Sequence, residues 1–322
     1  MKANSPTDFS SDVLILNKRY IIQNKLGDGK TSIVYKIKDL LTGEIKAAKI
    51  FDNNMKEEFE REVHIFKKIS EIDIPSNIKY FESGIGSLTQ KNQSLQKMFI
   101  ILEYGNHGSL FDVLFKLNTG FSEEVCQLIL LNIINAVEAL HKKGICHRDI
   151  KPENMLFVGD NYDLKLCDFG YSTSFWDENK QKIFLRKTCG TISYCAPELF
   201  EGKKYDGEKI DIFSIGAILF ILMNGKMGFL EATENDALYN NIKSKQYDKY
   251  WDILENRYHM KIMPEKFKKL YVKMIAYKPE ERLTISEIRQ DEWLKDIQKL
   301  NEEQLNLLRK KMIKLFMSVG IV

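Results

Sequence analysis

Apolar and polar residues change period along the chain, and each period predicts an element. From Tyr20 to Phe51 the sequence YIIQNKLGDGKTSIVYKIKDLLTGEIKAAKIF runs through β-branched and aromatic stretches broken by glycines, which predicts a twisted antiparallel meander. The following MKEEFEREVHIFKKI sets Phe59, Val63 and Phe66 at helical spacing and predicts an amphipathic helix. Residues 82–97, ESGIGSLTQKNQSLQK, are polar and rich in Gly, Ser and Gln, and read as a long exposed loop leading to the strand-like MFIILEYG. SEEVCQLILLNIINAVEALHKKG predicts a helix that opens on a Ser-x-Glu cap and stops at Lys-Lys-Gly. LKLCDF alternates like a short strand ending at Asp168, and IDIFSIGAILFILM reads as a buried helix. In the closing EEQLNLLRKKMIKLFMSVGIV, Leu305, Leu308, Met312, Leu315 and Phe316 fall near one face, while Arg309, Lys310, Lys311 and Lys314 supply charge.

At 322 residues the chain is too long for one small core and fits two modest domains or one two-lobed domain with a tail. With 48 basic and 45 acidic residues the net charge of +3 is slight, so neither nucleic acid nor a membrane surface is expected as the main partner. The five cysteines are odd in number and lack a C-x-x-C pair, which argues against a disulfide framework or a zinc site and for reduced thiols. The opening MKANSPTDFSSD has no signal-peptide core, and no run approaches the roughly 18 apolar residues of a bilayer span. A soluble protein of the cytoplasm is expected, with the nucleus as an alternative. His64, His107, His141 and His259 show no paired metal-ligand spacing and read as surface or packed residues.

The densest chemistry lies in ICHRDIKPENMLFVGDNYDLKLCDFG, residues 145–170. Asp149 is a carboxylate able to accept a hydroxyl proton, Lys151 an ammonium two residues on, Asn154 an amide and Asp168 a second carboxylate. Such a set suits phosphoryl transfer assisted by a hard cation with oxygen ligands. The stretch resembles the catalytic and metal-binding loops of the eukaryotic protein kinases, matching H-R-D-x-K-x-x-N and D-F-G at His147, Arg148, Asp149, Lys151, Asn154, Asp168, Phe169 and Gly170.

The resemblance implies roles elsewhere. Gly27, Gly29 and Ser32 take the small-residue positions of a G-x-G-x-x-G phosphate loop, with Leu26, Val34, Ala47 and Leu156 as adenine-covering residues and Lys49 closing an A-x-K strand. Glu57, Glu58, Glu60 and Glu62 are candidate partners for Lys49, and the family register picks Glu62. Leu102 falls at the gatekeeper position, with Glu103 to Gly105 offering backbone groups to adenine. Residues 170–198 resemble an activation segment ending in Ala196-Pro197-Glu198, with Thr191 expected near Asp149 and Lys151. Lys151 with Thr191 points to Ser or Thr acceptors, Tyr171 leans to serine, and Glu153 to basic residues before the target. Arg148 would pair with a loop phosphothreonine, yet Lys187 stands at that position and Thr188 is displaced by one, which leaves three alternatives: a phosphate on Thr188, one on Thr173 or Ser174, or a loop partly ordered without phosphate. Asp211 is placed to hold the catalytic-loop backbone, Phe213 stands where tryptophan is usual, and Arg282 is expected to pair with Glu198.

The expectation is therefore an α+β, bilobal protein kinase fold over residues 18–295. It comprises a small antiparallel β-sheet lobe with one helix (about 18–103) and a larger, mainly helical lobe (about 104–295). An extension (1–17) precedes it and a basic amphipathic tail (296–322) follows. The expected activity is transfer of the ATP γ-phosphoryl group to Ser/Thr hydroxyls of proteins, with Asp149 as base and Mg2+ held by Asn154 and Asp168. The motifs are nearest to the calmodulin-dependent and AMP-activated kinase group. The tail either packs on the larger lobe or binds a regulatory partner. The rivals are a pseudokinase-like scaffold, whose usual losses at Lys49, Asp149 or Asp168 are absent, and a small-molecule kinase of related fold.

Overall fold

The computed structural model describes residues 13–71, 74–91 and 93–321. By backbone contacts the chain divides into two compact units, one of residues 1–72 and 78–104, the other of residues 73–77 and 105–322.

The first unit is a closed antiparallel sheet. Strands β1 (Ile15–Leu16), β2 (Tyr20–Asp28), β3 (Ser32–Asp39), β4 (Ile45–Phe51), β5 (Tyr80–Gln90) and β6 (Gln93–Leu102) run in the order β1-β2-β3-β4-β6-β5, and β1 pairs back onto β5. Its interior is filled by Leu16, Tyr20, Ile37, Ala48, Ile50, Phe99 and Ile101. Helix α1 (Lys56–Ser70) buries Phe59, Val63, Phe66 and also Glu62. Residues 82–97 form a hairpin, not the expected exposed loop: cross-strand pairing runs from Tyr80↔Leu102 to Gln90↔Gln93. Both faces of its outer half meet solvent, so polar residues satisfy the pleat as well as apolar ones. The ladder is specified by backbone partners, which composition does not report. Strand β1, inside the expected extension, closes the sheet through Leu16↔Leu88.

A buried ion cluster pins the β3–β4 turn to the start of β2. Asp39, fully buried, accepts from Arg19 Nε (2.9 Å) and Nη2 (2.8 Å) and from Lys46 Nζ (2.8 Å). These bonds, Arg19's first, outweigh desolvation and hold the Asp39 carboxyl well below the ordinary carboxylate range.

In the second unit the helices are α2 (Leu110–Leu117), α3 (Glu123–His141), α4 (Pro197–Phe200), α5 (Gly207–Asn224), α6 (Ala237–Lys243), α7 (Tyr247–Asp252), α8 (Glu265–Met274), α9 (Ile285–Gln290) and α10 (Glu302–Ser318). Short strand pairs β7 (Ile145–Cys146) with β10 (Thr173–Ser174), and β8 (Met155–Val158) with β9 (Asp163–Leu166), carry the loops between them. Helix α5 is apolar all round because fifteen of its 18 residues are buried, making it the axis of the core. Gly225, left-handed at φ 71, ends it against the backbone of Thr119 and Gly120, an approach no side chain would permit. Helix α3 is long and apolar enough by length and composition to cross a membrane, but 67% of that stretch is buried inside the protein. Ser122 is its N-cap residue, yet the hydroxyl makes no capping bond.

The tail helix α10 packs on this unit through Leu308, Met312 and Phe316. Phe316, fully buried, meets the rings of Phe157 at 4.8 Å, Phe121 at 6.1 Å and Tyr162 at 6.2 Å. Lys310, Lys311 and Lys314 remain exposed.

Arg282 and Glu198 pair in two parallel bonds of 2.7 and 2.6 Å. Arg282 is only 2% exposed and also donates to the carbonyls of Ala276, Lys209 and Tyr277, its guanidinium lying 5.0 Å from the Phe213 ring centre. Phenylalanine thus supplies the aromatic face at the position where tryptophan was expected.

Arg282→Ala leaves Glu198 buried without its partner and is expected to lower unfolding free energy by about 3–5 kcal/mol. A denaturant midpoint equal to the wild type's would overturn this. Asp39→Asn leaves Arg19 and Lys46 without their anion and should cost about 3 kcal/mol at neutral pH. Because the folded Asp39 pKa is depressed, its contribution is complete above the unfolded value, roughly pH 4, and is lost as pH falls toward the folded value. The stability gap between wild type and Asp39→Asn should therefore narrow below about pH 4, as read by urea titration at several pH values; a constant gap would count against it.

Candidate active site

The expected site residues divide between the two units, and each unit assembles its own set. In the first, β4 carries Lys49 opposite Val34 on β3, and Ala47 opposite Leu102 on β6. Alternation turns the Lys49 side chain away from the interior that Ala48 and Ile50 fill and toward α1, where it meets Glu62 at 2.7 and 2.8 Å. Lys49 and Glu62 are both buried, whereas Glu57 and Glu60 are exposed and Glu58 is half-buried. The helix has room for one carboxylate on its inner face, and the register gives that place to Glu62. The β2–β3 hairpin closes with Gly29 N–H donating to Ser32 O at 2.9 Å, and Ser32 is buried at the strand start. A Cβ built on Gly27 would meet nothing within 4 Å, so packing does not require glycine there. Leu26 is 45% exposed, and Glu103 closes the edge by accepting from Lys79 N at 3.0 Å.

In the second unit the loop of residues 147–154 hangs from α5. Asp211, fully buried, accepts from His147 N and Arg148 N, each at 2.9 Å, and from His141 Nε2 at 2.9 Å. Arg148 is thereby held in the left-handed region at φ 68, a costly conformation for a residue with a side chain. The turn delivers Asp149, whose Oδ1 accepts from Thr191 Oγ1 at 2.8 Å. Its Oδ2 faces Lys151 Nζ at 3.0 Å and Asn154 Nδ2 at 3.2 Å. Lys151 Nζ also donates to Thr191 Oγ1 at 2.8 Å, closing a triangle of carboxylate, ammonium and hydroxyl. Thr191 reaches this point because Gly190, at φ 109, passes the Arg148 carbonyl where a Cβ would lie at 2.8 Å.

Burial pulls the Lys151 ammonium down, but the bond and charge of Asp149, helped by Glu153 and Asp168, outweigh it. The group is held above its ordinary value and stays charged. Asn154 donates to the Asp149 carbonyl at 2.8 Å, which turns its amide nitrogen toward Asp149. Cys167 N donates to Asn154 O at 2.9 Å, so Asn154 and Asp168 project from adjoining backbone. His147 Nε2 donates to Cys167 O at 3.0 Å, and Phe169 lies fully buried against the His147 ring, centroids 5.3 Å apart. Gly105 approaches Leu156, where a Cβ would lie 2.9 Å from the leucine Cβ. Desolvation raises the thiols of Cys126, Cys146 and Cys189 and pushes Cys195 up to about 12, which removes them as nucleophiles at neutral pH.

A family model described as Protein kinase domain matches residues 20–294. The chain belongs to the protein kinase family. It is 34% identical to CBL-interacting protein kinase 30 of Oryza sativa subsp. japonica over 88% of this chain and 56% of that protein. It is 33% identical to CBL-interacting serine/threonine-protein kinase 8 of Arabidopsis thaliana over 90% and 61%, and 29% identical to the Homo sapiens SNF-related serine/threonine-protein kinase over 86% and 34%. The chain thus spans between 34% and 61% of the length of these curated relatives.

Sequence reasoning missed two members of this kinase site. His141, read as a surface or packed histidine, is a third donor to Asp211 and so belongs to the scaffold of the loop at residues 147–154. Tyr205, which no motif singled out, bonds Arg148. Neither has a local signal, since each partner lies more than fifty positions away in sequence.

The open space over Gly27 sets a test of the phosphate-loop role. Gly27→Val should leave the melting temperature unchanged and raise the KM for ATP about tenfold by covering the backbone that phosphates approach. An unchanged KM in a folded variant would remove Gly27 from the nucleotide site.

Proposed function

We propose that this kinase transfers the γ-phosphoryl group of ATP to serine or threonine hydroxyls of proteins. The observation that carries the reading is the Asp149–Lys151–Thr191 triangle, with bonds of 2.8, 2.8 and 3.0 Å. A carboxylate offers about four acceptor sites. Thr191 uses one on Oδ1, and Lys151 with Asn154 uses those on Oδ2, so Oδ1 keeps capacity for a substrate hydroxyl. Asp149 would orient that hydroxyl and take its proton, while Lys151 would stabilise the charge on the transferring group. Lys49, fixed by Glu62, and the Gly27 to Ser32 loop would hold the nucleotide phosphates, with Leu26, Val34, Ala47, Leu102, Glu103, Gly105 and Leu156 about the adenine.

The residues fit magnesium. Asn154 and Asp168 supply hard oxygen donors, the chemistry of an ion that takes one or two protein ligands and completes its shell with phosphates and water. Bound there with ATP, the ion would neutralise charge on the β- and γ-phosphates. Little covalent chemistry falls to the protein, so positioning and charge would supply most of the rate.

The Lys151–Thr191 bond supports Ser/Thr acceptors, as do the names of the relatives. The exposed Glu153 supports basic residues before the target. The rice and Arabidopsis relatives are CBL-interacting kinases by name, which supports a regulatory protein partner, and the exposed lysines of α10 offer it a basic surface. Cytoplasmic residence, with the nucleus as alternative, is proposed on the sequence pattern alone, five cysteines without a C-x-x-C pair reading as reduced thiols.

The test is phosphate transfer from ATP and Mg2+ to a serine peptide bearing basic residues. Asp149→Asn should lower kcat about 10²–10⁴-fold with ATP affinity unchanged. Turnover within a few-fold of the wild type would sink the assignment.

A further inference from the structure

The activation segment is tied to the catalytic loop by a tyrosine. The Arg148 guanidinium, on a residue only 8% exposed, meets three neutral acceptors. Nε donates to Tyr171 O at 2.7 Å, and Nη1 donates to Lys187 O at 3.3 Å and to the Tyr205 hydroxyl at 3.1 Å. That hydroxyl donates onward to Lys187 O at 2.6 Å. Tyr205 also exchanges both backbone bonds with Leu185, each 2.9 Å. Its ring is 2% exposed, and Gly207, two residues on, lies so close to Cys146 that a Cβ would come within 2.5 Å of the sulfur. The segment at residues 185–187 is thus gripped by main chain at one point and by a shared carbonyl at another. At position 187, where a phosphorylatable threonine was expected, the bonded atom is a backbone carbonyl, which any residue type provides.

We propose that Tyr205 is a positioning residue that orders the activation segment in the unphosphorylated chain, its hydroxyl joining Arg148 to the Lys187 carbonyl where a loop phosphate would otherwise be needed. The proposal rests on the kinase reading for its effect on turnover, but its structural half stands apart from that reading. Ordering matters because Thr191, four residues beyond Lys187, must stay within bonding distance of Asp149 and Lys151. Burial raises the Tyr205 hydroxyl above its ordinary pKa, so it remains a neutral donor across the physiological range.

The experiment uses the whole chain after phosphatase treatment, with the absence of phosphate on Thr188 confirmed by mass spectrometry. The wild type should keep its kcat, and its Leu185 amide should exchange slowly with deuterium. Tyr205→Phe, which removes one oxygen, should melt within a few degrees of the wild type. Its kcat should fall about tenfold with the KM for ATP unchanged, and Leu185 should exchange about tenfold faster, as expected for loss of a bond to a charged group. A role in stability alone would shift melting without this split of kcat from KM. Full kcat and unchanged exchange in Tyr205→Phe would overturn the proposal, as would a phosphatase-treated wild type that is inactive while its Thr188-phosphorylated form turns over. Should both forms of the wild type be inactive, the kinase reading fails, and the exchange rates still decide the structural half. Fast Leu185 exchange in the unphosphorylated wild type overturns it even if the variant does not fold.

Discussion

The carboxylate of Asp211 is the point on which the catalytic half of the molecule depends. It sits on a helix with almost no polar surface and is fully buried, an unfavourable place for a charge unless donors surround it. Three N–H groups do so, two from the backbone of His147 and Arg148 and one from His141. The exchange works in both directions. The donors make the buried carboxylate tolerable, and the carboxylate holds Arg148 in a left-handed conformation the chain would not otherwise keep. That turn aims Asp149 toward Thr191 and sends the Arg148 side chain toward the activation segment. A rigid helix thus fixes a loop, and the loop fixes the reacting groups.

Three other buried ion pairs show how the same interaction serves different ends. Glu198–Arg282 and Asp39–Arg19–Lys46 hold structure, with guanidinium forks meeting carboxylates in two parallel bonds. Lys49–Glu62 uses an ammonium, which has no fork to saturate and keeps a compact charge that can serve a phosphate as well. Arginine supplies the fork in both structural clusters, and Lys46 adds a point charge beside Arg19 on Asp39. At Lys151 the same logic recurs, the ammonium bridging Asp149 and Thr191 without locking either.

The tail illustrates a different balance. Its amphipathic pattern fitted both packing and partner binding, because either would bury one apolar face. Phe316 decided for packing by filling a space between Phe121, Phe157 and Tyr162, residues drawn from three separate stretches of the second unit. The basic residues were left outside, so the charge remains available even though the apolar face is spent.

Groups brought together by covalent spacing were legible from the sequence alone. Asp149, Lys151 and Asn154 lie within one turn, Gly27, Gly29 and Ser32 within one hairpin, and the helical period of α1 and α10 follows from neighbours three and four apart. The pairing of Lys49 with Glu62, and of Arg282 with Glu198, was reached through family resemblance because nothing local connects them. The hairpin at 82–97 was hidden, since its stability comes from backbone bonds to a partner strand and its polar side chains resemble those of a loop. The sequence by itself determined the chemistry the chain carries and the elements that carry it. Only the tertiary structure decided that His141 joins Asp211, that Tyr205 meets Arg148 and that Arg19 and Lys46 converge on Asp39. Those bonds join residues far apart in sequence, and their short range lets them form only after packing has already brought the elements together.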